Sequence, residues 1–225
     1  PLGALTAEQE TLATAWAQLR SEYERFGADS GTSGSIFRQV YLYLPSDQGG
    51  RFLPELVQVE FSDADFASTL FYAFQSACKS AGILPTQSAD WLLSPPSVAV
   101  TDAGERILTL DFSGSLMDAL ERIQLPRWRF LGAATLTMCS FLPSLDGVCV
   151  RVNGEALPTL AVDEFSMPLT DGLLRRSDFS SYIGARVTVY LTDRDSGLLR
   201  RAEIAMPSRS ARSAGAVLNM LLSDP

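Results

Sequence analysis

Apolar residues change period several times along the chain, and each change marks an element. Leu5, Leu12, Trp16, Leu19, Tyr23 and Phe26 fall at helical spacings behind a Thr6/Gln9 capping box, and Gly27 supplies the stop. Residues 6–26 therefore read as an amphipathic helix whose seam needs a partner, and Ala28 to Ser35, rich in Gly and Ser, as a link. From Val40 the period becomes that of a strand. Val40–Leu44 and Leu53–Phe61 flank turn residues 45–50 and predict a hairpin. Ser62 or Asp63 then caps a helix in which Phe66, Leu70, Phe74 and Cys78 recur every four residues. Ser97–Thr101 and Arg106–Phe112 predict a second hairpin, closed by Asp102–Glu105. One or two helical turns over 115–123 come next, then a helix over 127–141 and a strand over Val148–Val152 that ends at Asn153-Gly154.

The same plan begins again near the C-terminus. Val187–Leu191, a turn at Asp193–Gly197, Leu198–Met206 and a helix from about Ser208 to Leu222 repeat the pattern of residues 40–78. Tyr43-Leu44 corresponds to Tyr190-Leu191, Gly50 to Gly197, and Val57–Val59 to Ala202–Ile204. The expected class is α+β: small mixed sheets with helices on one face in the order ββαββαβ, one complete unit and the start of a second. The expected divisions are 1–36 (helix and link), 37–157 (first domain), 158–184 (linker) and 185–225 (partial second domain).

Composition narrows the chemistry. With 225 residues, 46% of them hydrophobic, the chain can build one large core or two small ones. A net charge of -8 argues against a generic binder of nucleic acid or anionic lipid. Histidine is absent, which removes Ser-His-Asp and Cys-His catalysis, His-ligated zinc and any imidazole switch. No apolar run reaches the roughly 18 residues of a membrane span, and Pro1-Leu2-Gly3 lacks a starting Met and a signal-peptide core, so the sequence reads as a trimmed or mature soluble piece. Cys78 and Cys139 read as core residues and Cys149 as the more accessible thiol; a Cys139–Cys149 bridge is neither demanded nor forbidden. Residues 1–170 carry 20 acids and 10 bases, whereas 171–225 carry 6 acids and 8 arginines. The loose basic stretch Arg194, Arg200, Arg201, Arg209 and Arg212 reads either as solvated surface or as a contact for an acidic neighbour.

Four stretches carry a family resemblance: Val40–Leu44, Leu108–Ser113, Ala133–Thr137 and Gly147–Glu155. Together they resemble the GerM domain, found in sporulation and germination proteins and in related bacterial envelope lipoproteins, and 185–225 looks like the start of a second such unit. The resemblance implies a fold similar to the ring-building folds of secretion assemblies. It also implies an extracytoplasmic location through a lipoprotein anchor that is not in this chain, and a non-catalytic role in protein-protein assembly with other envelope or sporulation proteins or with itself. The expected second unit departs from the family's plan, because 185–225 carries only the opening strands and helix and lacks the later ones. On the residues' own terms, Asp111 and Ser113 read as caps at a strand-to-helix junction, and Asn153-Gly154 as a turn with positive φ.

Other function classes have weaker sequence support. Paired acids, Asp63 with Asp65 or Asp163 with Glu164, could do acid/base work on a glycan, although neighbours in capping segments and loops are usually solvated. Trp91, before Pro95-Pro96, reads as an exposed platform for peptide or polysaccharide or as a plug over the core. The expected interaction surface is Val187, Val189 and Leu191 along an uncovered strand edge, with Trp91 as the alternative. No metal or cofactor is expected, because neither cysteines nor acids cluster at ligand spacing.

Overall fold

The computed structural model describes residues 36–46, 50–61, 65–85, 91–142, 144–192, 198–208 and 210–223. The helix expected over 6–26, the link over 28–35, the caps Ser62 and Asp63, and the turn 193–197 lie outside the described residues. The chain opens with β1 (Ile36–Pro45) and β2 (Phe52–Phe61), an antiparallel hairpin in which Val40 faces Val57 and Leu44 faces Leu53. Helix α1 (Phe66–Ser80) follows. Its N-cap is Asp65, whose Oδ1 accepts the Ser68 N–H at 2.9 Å, so one of the acids considered for catalysis is a helix cap.

β3 (Ser97–Val100) pairs antiparallel with β4 (Arg106–Phe112). After α2 (Gly114–Arg122) and α3 (Arg127–Phe141) the chain returns as β5 (Gly147–Val152), parallel to β4. Two helices serve as the crossover that a parallel pair requires. Along β4 and β5 the residues alternate between faces: Leu108, Leu110, Phe112, Val148 and Val150 are buried beneath the helices, while Thr109, Cys149 and Arg151 point the other way. Helix α3 packs on β1 on one side and on β5 on the other. Being enclosed by two sheets, it is buried nearly all round, including Thr135 and Thr137. Both hydroxyls are satisfied: Thr135 donates to the Leu131 carbonyl at 2.8 Å, and Thr137 Oγ1 accepts the outward-pointing N–H of Tyr43 at 2.9 Å.

The junction that ends β4 corrects the expected capping. Ser113 is the N-cap of α2 but its side chain makes no cap hydrogen bond. Asn153 does this work from across the sheet, its Oδ1 accepting the Gly114 N–H at 2.8 Å, while Asp111 Oδ1 accepts the Gly154 N–H at 2.9 Å. Asn153 (φ 53°) and Gly154 (φ 83°) form the expected left-handed turn, and the turn is thereby tied to the start of α2.

Residues 158–184 are not a linker. After β6 (Glu155–Ala156), β7 (Thr159–Val162) and β8 (Phe165–Pro168) form a small hairpin, and β9 (Leu173–Leu174) pairs with β5. α4 (Arg176–Phe179) and a short 3-10 turn lead to the next strand. Leu160, Leu174 and Phe179 belong to the same buried core as α1 and α3. Phe179 sits where Gly132 of α3 leaves room: a Cβ on Gly132 would come within 2.8 Å of its ring. Short strands separated by Asp163 and Gly172, both at positive φ, leave no periodicity for a sequence reading to detect.

β10 (Gly184–Thr192) and β11 (Leu199–Pro207) form the last hairpin, followed by α5 (Ala214–Ser223). Val187 faces Ile204 as Val40 faces Val57, and both members of the pair stand 147 residues on. The sequence correspondence of Val57–Val59 with Ala202–Ile204 is thus two residues out of register. Ser213 caps α5 as Asp65 caps α1, its Oγ accepting the Ala216 N–H at 3.3 Å. The second hairpin is seated on the first by a parallel bridge between Ile183 and Phe52 and by an Arg186–Glu55 ion pair at 2.5 Å.

Candidate functional site

Two equivalent hairpins in one chain provide an internal control for what covers each position. Ser46 N–H bonds to the Arg51 carbonyl, and Ser208 N–H to the Ile183 carbonyl, which sets the same alternation of paired and outward backbone groups in both ladders. In the first hairpin Tyr43, Leu44 and Phe52 are 8%, 2% and 0% exposed; their counterparts Tyr190, Leu191 and Leu199 are 64%, 43% and 70% exposed. The difference lies in what stands above them. Tyr43 gives its N–H to Thr137 of α3 and lies under Arg176, whose guanidinium is 5.6 Å from the ring centre. Phe52 is boxed edge-on by Trp128 at 5.7 Å and Phe179 at 6.1 Å. Among the described residues the second unit has α5 and no counterpart of α3 or α4.

The outer half of this hairpin therefore presents Tyr190, Leu191, Leu198 and Leu199 beside Arg200 and Arg201. Of the residues expected at the contact, Leu191 is exposed, Val187 half-buried and Val189 buried, because Val189 faces inward. Sequence reasoning missed Tyr190, Leu198 and Leu199. The signal was available: Leu198-Leu199 stands where Arg51-Phe52 stands in the first unit.

Trp91 takes the second of its two expected places, the plug over the core, and its reading as an interaction surface is corrected. It is buried and meets Phe130 edge-on at 6.2 Å, and its carbonyl accepts the Ser113 N–H at 2.8 Å, so it closes the core and offers no surface platform. Trp128 is likewise buried. Two of the candidate acids have structural roles: Asp65 caps α1, and Asp163 occupies the β7–β8 turn and accepts the Tyr182 hydroxyl at 3.1 Å, a bond that together with burial, the larger cause, raises the phenol's pKa. Burial pushes the Cys78 thiol up strongly and that of Cys139 up to about 11. All three cysteines are free thiols, and Cys149 is half-exposed. Among the described residues no three His, Cys, Asp or Glu side chains gather as metal ligands, and no helix is long and apolar enough to cross a membrane.

A second surface lies on the face of the β3–β4–β5 sheet shared by Thr109 and Cys149. A groove of about 700 Å³ runs between β3 and the β8–β9 connection, floored by Ile107, Thr109 and Cys149. Among its lining residues Glu105 and Asp178 stand around Arg175, with the Arg175–Glu105 pair at 2.7 Å and Asp178 accepting the Arg175 backbone N–H. Cys149 Sγ donates to the Asp171 carbonyl at 3.0 Å and ties the far wall to the floor.

No protein-family model matches the chain, and no curated protein matches it. Among solved structures it is similar to the tandem GerMN domains of the sporulation protein GerM from Bacillus subtilis, with a TM-score of 0.40 and 19% sequence identity. That match covers 77% of this chain and 62% of the other.

Proposed function

We propose that the protein is a non-catalytic assembly module of the bacterial cell envelope and that it contacts another protein through the outer half of the β10–β11 hairpin. The observation that carries this reading is the internal comparison: among the described residues, three positions buried in the first unit are exposed in the second, on a hairpin whose two strands form a sheet of their own. Contiguous exposed apolar residues next to an open edge are what a protein contact covers. The envelope and sporulation setting rests on the sequence resemblance of Leu108–Ser113 and Gly147–Glu155 to the GerM domain. A photoactivatable amino acid placed at Leu199 tests the contact in living cells. A discrete cross-linked species is expected from position 199 and none from exposed Glu121 on α2; equal or absent cross-linking at both positions would remove the proposal.

A further inference from the structure

The edge of β3 and the groove beside it form a second surface, remote in sequence from the β10–β11 hairpin. Thr101 N–H bonds to the Glu105 carbonyl at 2.8 Å, so the pair Thr101/Glu105 is a hydrogen-bonded one. With the register Ala99–Ile107 and Val98–Leu108, the ladder alternates so that Ala99 bonds to β4, while the N–H and C=O groups of Val98 and Val100 point away from it. Among the described residues β3 pairs with β4 alone. The two faces of this edge differ. Val98 and Val100 are 43% and 67% exposed on the helix side, beyond the reach of the helices that cover Leu108 and Leu110. Ala99 and Thr101 line the groove on the other side, where the described residues set Glu105, Asp171 and Asp178 against one cation, Arg175.

We propose that β3 is a strand-addition site for an extended segment of a partner polypeptide in which apolar and basic residues alternate. Added antiparallel to β3, residues opposite Val98 and Val100 exchange both backbone hydrogen bonds with them and lay apolar side chains over the exposed valines. The residue between them, opposite Ala99, projects into the groove, where three carboxylates against one guanidinium favour arginine or lysine. The groove floor of Ile107 and Thr109 accommodates the aliphatic stem of that side chain.

The probe is a capped, fluorescein-labelled peptide Thr-Val-Arg-Val-Thr titrated with the whole protein and followed by fluorescence anisotropy. Saturable binding is expected. Replacing the arginine by glutamate should weaken it at least tenfold, as should N-methylation of the two valine amides, whereas N-methylation of the arginine amide, which points away from β3, should leave it within threefold. Val98→Pro removes an outward donor without touching a β3–β4 hydrogen bond, and it too should weaken binding tenfold with the melting temperature retained. Absence of saturable binding, or equal binding of the valine-methylated or glutamate peptide, overturns the proposal. The comparison among peptides uses the parent protein throughout and so holds however Val98→Pro folds.

Discussion

Phe179→Ala separates a linker from a core element. Phe179 lies in the segment that sequence pattern assigns to a linker, yet its ring is fully buried, edge-on to Phe52 and against the backbone of Gly132. A truncated linker side chain would change stability by no more than about 0.5 kcal/mol. Truncating a fully buried phenylalanine loses its transfer free energy and leaves a cavity, together about 3–5 kcal/mol. The cavity cannot close easily, because Phe52 is held in place by Trp128 and α3 is fixed between two sheets. For a domain of this size that loss corresponds to a fall of roughly 6–20 °C in melting temperature. Urea unfolding gives the assay, with the midpoint shifting at constant slope. Phe165→Ala is the matched control: it lies in the same segment on β8, is 78% exposed, and should stay within about 0.5 kcal/mol of the parent. Indistinguishable midpoints for the two variants would refute the assignment of 158–184 to the folded core.

Thr137→Val preserves shape but leaves the buried Tyr43 N–H without its acceptor, and should cost about 1–3 kcal/mol in the same urea experiment. Asn153→Ala removes the acceptor for Gly114 N–H and places alanine at positive φ, so a loss of about 1–3 kcal/mol is expected; Asn153→Gly, which suits the backbone but not the cap, should lose less. In the folded protein at pH 8, mass spectrometry after iodoacetamide treatment should find Cys149 alkylated while Cys78 and Cys139 stay unmodified, because burial excludes the reagent and holds both thiols protonated. Alkylation of Cys78 as fast as Cys149 would contradict its place in the core.

What the sequence made legible was whatever repeats at a regular period. Both long hairpins, α1 and α3 announce themselves through alternation or three-and-four spacing, and α3 occupies the expected residues 127–141. The repeat itself was visible, although only the pairing of Val187 with Ile204 fixes its register. Illegible parts depend on contacts across the chain. Asn153 caps a helix that starts 39 residues earlier, which no local capping pattern can display. Trp91 beside Pro95-Pro96 reads equally as a platform or as a plug over the core, and only its burial against Phe130 decides for the plug. The acidic groove draws its lining from β3, β4, β5 and the 167–178 segment, so it exists only after the fold has formed. Tyr190 and Leu199 gained meaning when their burial could be compared with that of Tyr43 and Phe52.

The central claim, that the bare half of the second hairpin is a protein contact, is tested most directly by the native size of the protein in gently lysed source cells. Leu191→Glu combined with Leu199→Glu places charge on two exposed positions and should leave the unfolding free energy of the purified protein, read from urea unfolding, within about 0.5 kcal/mol of the parent. On size-exclusion chromatography of the lysate, the parent protein is predicted to elute in a complex and the double variant as free monomer. Elution of both at the same volume, with their stabilities equal, would contradict the account.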